Sequence, residues 1–174
     1  MLWGNAAAPR YLVAMIDTAE NPIDVFEELA SAHEWSYDRA NTHELAVEIS
    51  GNWCDYRIFA SWRDELCALH FACAFDMRIP DRRRAEVNQL LACINERMAI
   101  GHFDVWSDDG FPVFRHAVLM RGLAGVSVEQ LEDLLEIALT ECERFYPAFQ
   151  YVVWGGKSPA EAMDAALLTT VGEA

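Results

Sequence analysis

Positive charge is scarce in this chain. Lys157 is its only lysine among 13 basic residues, against 28 acidic ones, and the formal net charge is -15 with a pI near 4.5. Such a balance repels phosphate backbones and anionic headgroups, which argues against general nucleic-acid or membrane-surface binding. It would favour a basic partner, although solubility alone is a sufficient reason for it. Long apolar runs are missing too. No stretch reaches the roughly 18 uncharged apolar residues that a membrane span needs, so no membrane association is expected. The opening MLWGNAAAPRYLVAMIDTAE lacks a basic start and a continuous apolar core, and so does not read as a signal peptide. The five cysteines, Cys54, Cys67, Cys73, Cys93 and Cys142, form no C-x-x-C pair and no zinc-type Cys/His spacing. Their odd number and apolar neighbours read as buried free thiols in a reducing, cytoplasmic setting.

What is present is an ordinary globular composition of 174 residues, 53% hydrophobic and 11% aromatic. Residues 1–20 read as an N-terminal arm broken by Gly4, Asn5 and Pro9, and residues 21–174 as a single domain. Asn21-Pro22 gives a capped helix start, and Ile23, Phe26, Leu29 and Ala30 follow at helical spacing up to about His33. The period then changes to two. An edge strand is expected at Trp35–Ala40, followed by strands carrying Leu45, Val47 and Ile49 and then Tyr56 and Ile58. LCALHFACAF, residues 66–75, is apolar on both faces, as a central or doubly covered strand would be. The short turns between these runs imply antiparallel pairing.

A second helix is expected from Pro80, with Asp81 as N-cap, a stripe of Val87, Leu90, Leu91, Ile94 and Met98, and Gly101 as its stop. A hairpin turning at Asp109-Gly110 comes next. Ser127 and Gln130 then form a capping-box pattern before a third helix, whose stripe runs from Val128 to Phe145 and which Pro147 should end or kink. A last helix follows Ser158-Pro159. The order of helix, three or four strands, helix, hairpin and helices makes the class α+β, with an antiparallel sheet of about five or six strands packed by amphipathic helices.

Several residues invite a chemical reading. Gly155-Gly156-Lys157-Ser158 looks like a fragment of a phosphate loop but lacks the required glycine spacing, and Pro159 removes a donor, so a helix-joining turn is expected. Asp104, Asp108 and Asp109 lack the calcium-loop pattern. His33 and His43 are too far apart to chelate, so neither a metal nor a cofactor is expected. His70 and His116 could share a face with Cys67 or Cys73 if their strands are neighbours, which would suit a reactive thiolate; core histidines beside inert thiols are the plainer reading. Arg82, Arg83 and Arg84 place positive charge at a helix start, against the macrodipole, with Asp81 and Glu86 near enough to neutralise it. Trp53, Trp62, Trp106 and Trp154 fall at strand and helix ends, and Phe59 sits on the strand face opposite Tyr56 and Ile58. Large aromatics in such places suit an interface. Trp53, Phe59, Trp62, Trp106, Trp154 and the three arginines are therefore the candidate protein-interface residues.

The segments GNWCDYRIFASW, LHFACAFDMRIPDRRRAEVNQLLACINERMAIGHFDVW, FPVFRHAVLMRG and YPAFQYVVWGGKSPAEAMDAA resemble the YbjN family, described as bacterial sensory-transduction regulators, in their order, aromatic placement and turn positions. The resemblance covers most of residues 22 to 167 and contains no catalytic signature. It implies a fold similar to the type III secretion chaperones, with helices on one side of a sheet and often paired as a homodimer, and a regulatory or chaperone-like role. The leading expectation is a non-enzymatic, dimeric protein that binds a partner protein of unknown identity. The rivals are an enzyme or small-molecule sensor with a His70/His116/cysteine pocket, and a structural subunit of a larger assembly.

Overall fold

The computed structural model describes residues 21–171; the N-terminal arm expected over residues 1–20 lies outside them. Asn21 accepts a hydrogen bond from the Ile23 amide at 3.0 Å and so caps α1 (Pro22–Ala32), with Pro22 in the first turn, where its missing N–H costs nothing. Four strands follow, β1 (Ser36–Asn41), β2 (Glu44–Ser50), β3 (Asp55–Arg63) and β4 (Ala68–Ala74). After α2 (Arg84–Asn95) come β5 (His102–Val105) and β6 (Pro112–Leu119), and then α3 (Val128–Val153) and α4 (Pro159–Val171). The six strands form one antiparallel sheet in the order β1-β2-β3-β4-β6-β5. The class is α+β, as the alternation of periods requires.

Strand alternation decides what each face carries. Leu45, Val47 and Ile49 of β2, Tyr56, Ile58 and Ala60 of β3, Leu69, Phe71 and Cys73 of β4, and Phe114 of β6 join one buried cluster with Ile23 and Phe26 of α1, Val87 and Leu90 of α2, and Phe145 and Phe149 of α3. Phe75 and Phe103 stand at its centre, each in ring contact with Phe149 at 5.2 and 5.8 Å. The helices therefore share one side of the sheet, and α4 packs against α2 and α3. Arg39, from the edge strand β1, ties that strand to α1 through Glu27 and through Asp24 at 2.6 Å.

Four local expectations change. Asp81 does not cap α2: residues Asp81–Arg83 form a separate 3-10 turn and the helix begins at Arg84, so Arg82 and Arg83 stand ahead of its macrodipole. Arg83 pairs with Glu86 at 3.4 Å and Arg84 with Asp81 at 3.9 Å, which offsets the local charge. The same helix stops at Asn95 and not at Gly101, because the Asn95 amide side chain bonds both backbone groups of Phe103 (2.8 and 3.0 Å) and leaves the helix for β5. Pro147 does not end α3, which runs on to Val153. One backbone donor is lost there, but Tyr146, Pro147, Ala148 and Phe149 are all buried, and their packing outweighs a single hydrogen bond. Val128 is exposed at the first turn and does not belong to the buried stripe.

Candidate functional site

The second face of the sheet carries the remaining strand positions, Ala46 and Glu48 of β2, Asp55, Arg57, Phe59 and Ser61 of β3, His70, Ala72 and Ala74 of β4, and Val113, Arg115 and Ala117 of β6. Among the described residues no helix packs on it. Small side chains dominate its middle, so the floor sits low between taller residues.

The tallest feature is aromatic. Trp106 follows β5 in the hairpin loop, where its amide donates to the Phe111 carbonyl at 3.0 Å and its carbonyl accepts from Gly110 at 2.8 Å. Gly110 takes a positive φ of 74°, which lets this six-residue loop close. The loop is longer than the tight turn expected at Asp109-Gly110, and the difference lets the indole fold back over the sheet. It meets Phe59 edge-on, with ring centroids 5.2 Å apart and planes at 66°. Val113 and Ala74 lie on this open face yet are buried.

The Phe59–Trp106 bar divides the face into two basins. One, of about 510 Å³, is floored by Ala40, Ala46 and Ala72 and rimmed by Asp38, Glu44, Arg63, His70 and Arg115. The other, of about 600 Å³, is lined by Glu48, Asp55, Arg57, Asp76, Asp109 and Phe111 beside the same two aromatic rings. Arg57 pairs with Glu48 at 3.7 Å, and Arg115 with Asp104 at 3.2 Å. The arrangement offers apolar contact flanked by fixed charges of both signs. Ser61 and His70 stand opposite each other across β3 and β4 at the edge of the first basin.

The structure gathers only some of the residues singled out in the sequence. Phe59 and Trp106 meet on the open face. Trp53 is 42% exposed at the turn before β3 and stacks on Tyr146 at 6.0 Å. Trp62 is half-buried against the core, with its indole N–H donating to Asp64 at 2.6 Å. Trp154 ends α3 and is 62% exposed. Its neighbours in the joint lie close to the arginine cluster: a Cβ on Gly156 would sit 3.3 Å from the Arg83 guanidinium, and Lys157 covers the Tyr151 ring at 4.4 Å. Arg83 thus lies beside the α3–α4 joint, whereas the Arg84 guanidinium reaches the β5–β6 loop at Gly110; none of the three arginines lines either basin. The Gly155–Ser158 stretch is a helix joint, with Ser158 and Glu161 capping α4 through a 3.0 Å and a 3.4 Å bond.

The histidine–cysteine pocket does not form. β4 and β6 are neighbours, but their register pairs Phe71 with His116 and His70 with Ala117. Paired residues share a face, so His70 belongs to the open side and His116 to the helix side with Cys73. Two other thiols are poorly disposed to ionise: burial pushes Cys54 up, and burial followed by its contact with Cys73 pushes Cys142 up well above its ordinary value. Burial, and then the charge of His102, holds His116 below the usual histidine range. Among the described residues no group of three or more histidines, cysteines or carboxylates is placed to hold a metal ion, and no helix is long and apolar enough to cross a membrane.

Sequence reasoning missed the alanine floor and the carboxylates Asp55 and Asp76. The signal for the alanines and Asp55 was present, since they occupy strand positions alternate to the core set, but nothing local marks such positions as uncovered; Asp76 lies in the bend after β4.

The family model of YbjN, described as "Putative bacterial sensory transduction regulator", matches residues 22–151. A crystal structure of YbjN from E. coli, described as "a putative transcription regulator", is similar over 68% of this chain and 84% of that one, at 12% identity and a TM-score of 0.49. No curated protein matches the chain.

Proposed function

The chain belongs to the YbjN family, and from that premise we propose that it is a regulator with no chemistry of its own, which works by holding a segment of another protein on the open face of its sheet. The observation that carries this reading is the aromatic bar standing on an alanine floor. Phe59 and Trp106 present ring surface to solvent between two basins whose volumes of about 510 and 600 Å³ suit inserted side chains. Uncovered apolar surface framed by charge is how protein-binding surfaces are built, and aromatic rings supply much of the contact energy in them. A catalytic reading has less support, because His70 and His116 face opposite sides of the sheet and do not join a single pocket with a cysteine.

Affinity capture from native cells, run in parallel with wild-type protein and Ala72→Glu, tests the reading. The glutamate would fill the floor of the first basin with Arg115 beside it, without touching the core. Loss of a specific partner with little change in melting temperature is the expected result. Retention of the same partner by Ala72→Glu, at wild-type recovery, would place binding elsewhere and sink the idea. A second copy of the chain is the competing occupant of this face. Light scattering on both proteins identifies that case, since a dimer formed there would dissociate in Ala72→Glu.

A further inference from the structure

Charge distinguishes the two basins. The first is lined by two carboxylates, Asp38 and Glu44, and two cations, Arg63 and Arg115, of which Arg115 pairs with Asp104 at 3.2 Å. The second gathers four carboxylates, Glu48, Asp55, Asp76 and Asp109, around a single cation, Arg57, which Glu48 already engages at 3.7 Å. Arg78 and Arg84 reach the hairpin loop at Gly110, each with an atom 3.7 Å from where a Cβ there would sit, and neither lines the basin. Phe59, Trp106 and Phe111 form its apolar wall. An aromatic wall beside uncompensated carboxylates fits the two parts of a long basic side chain, whose methylene stem packs on rings while its head reaches the acids.

We propose that this basin receives an arginine or lysine of the bound segment, so that the partner is recognised by a basic residue set near a large apolar one. The inference rests on the reading of the open face as a docking surface and adds the chemistry of what docks there. The first basin, with its alanine floor and Phe59 wall, takes the apolar side chain. The basins are centred near Ser61 and Arg57 of the same strand. An extended segment laid along β3 advances about 3.3 Å per residue and keeps every second side chain facing the sheet. The two anchoring residues are then separated by about four positions. The chain's net charge of -15 favours the approach of such a segment from a distance, and the basin fixes where its charge comes to rest.

Selection from a random twelve-residue peptide library on the purified protein tests this. Wild-type protein should enrich peptides with arginine or lysine about four positions from a large apolar residue. In Asp55→Asn/Asp76→Asn the basic preference should vanish while the apolar one remains. The best synthetic peptide, with a fluorescent label, should bind that double variant about tenfold more weakly, in line with a lost charge-assisted hydrogen bond. Glu132→Gln/Asp133→Asn removes as much charge from the exposed side of α3 and should leave binding unchanged. Equal weakening by both double variants would reduce the effect to net charge and overturn the proposal, as would enrichment with no basic excess. Ala72→Glu separates the two levels. If enriched peptides still bind it as they bind wild type, the docking surface itself is wrong; if they lose binding to it but ignore Asp55→Asn/Asp76→Asn, only the charge assignment fails. Absence of any enrichment by wild-type protein overturns both.

Discussion

Trp106 and Phe59 come from the β5–β6 loop and from β3, and neither has another aromatic ring to rest on among the ring pairs of the described residues. Each ring keeps the other in place. Their edge-on geometry at 5.2 Å is the one the aromatic quadrupole favours, in the range of about 0.5–1.5 kcal/mol beyond simple burial. A double-mutant cycle with Phe59→Leu and Trp106→Leu, read by urea unfolding, should return a coupling energy of that size. A coupling near zero would mean that the two rings lie side by side without holding each other. Because the same two side chains separate the basins, either variant should also alter peptide binding more than it alters stability.

The helices owe their ends to side chains and their persistence to burial. At the start of α3, the Gln130 amide donates to the Ser127 hydroxyl at 3.2 Å and the Ser127 amide donates to the Gln130 side chain at 3.0 Å, a reciprocal cap that satisfies two otherwise unpaired donors. Ser127→Ala should lower stability by about 1 kcal/mol, seen as a shift of the denaturation midpoint with an unchanged slope. A larger loss would show that the preceding loop is anchored through Ser127 as well. The last third of α3 follows another rule. It contains a proline and is nevertheless continuous, since Phe145, Tyr146, Phe149 and Val152 are all buried there. Helix α2 shows the reverse case. Its apolar pattern could continue to Met98, yet the helix ends at Asn95, whose side chain bonds the backbone of Phe103.

The helices of the described residues all lie on one side of the sheet, and the other side carries polar groups and small side chains that suit an uncovered face. The two histidines of the central strands sit on either side of this division. His116 lies on the helix side, in a cleft with Leu69, Val118, Gln130 and Asp133. Burial, and then His102, disfavours its protonated form in the native state. The unfolded chain therefore takes up a proton first as pH falls below about 6.5. The stability tied to this group is fully present above that pH and is lost on acidification, until the native imidazole also becomes protonated. Melting temperatures measured from pH 7.5 to 5 should fall more steeply for wild type than for His116→Gln. Parallel curves would remove the histidine from the explanation and leave the titration to the carboxylates.

Much of this architecture is local in origin and could be read from the chain. The change from a period of 3.6 to one of two, the caps at Asn21 and Ser127, and the apolar run of β4 each depend on residues within a few positions of one another, so helices, strands and their antiparallel pairing were all legible. The family, too, was recognisable from the order of those segments. Register and layering were not legible. A one-residue choice in how β6 lies against β4 decides whether His70 and His116 meet or face away, and that choice is made by the core as a whole. Tertiary packing likewise carried α3 through Pro147, stopped α2 at Asn95 and, among the described residues, put all four helices on one side of the sheet. Phe59 was marked in the sequence as an outward residue and Trp106 as an aromatic near a turn. Only the folded loop brought the two together, because their contact joins distant parts of the chain and no local pattern encodes it.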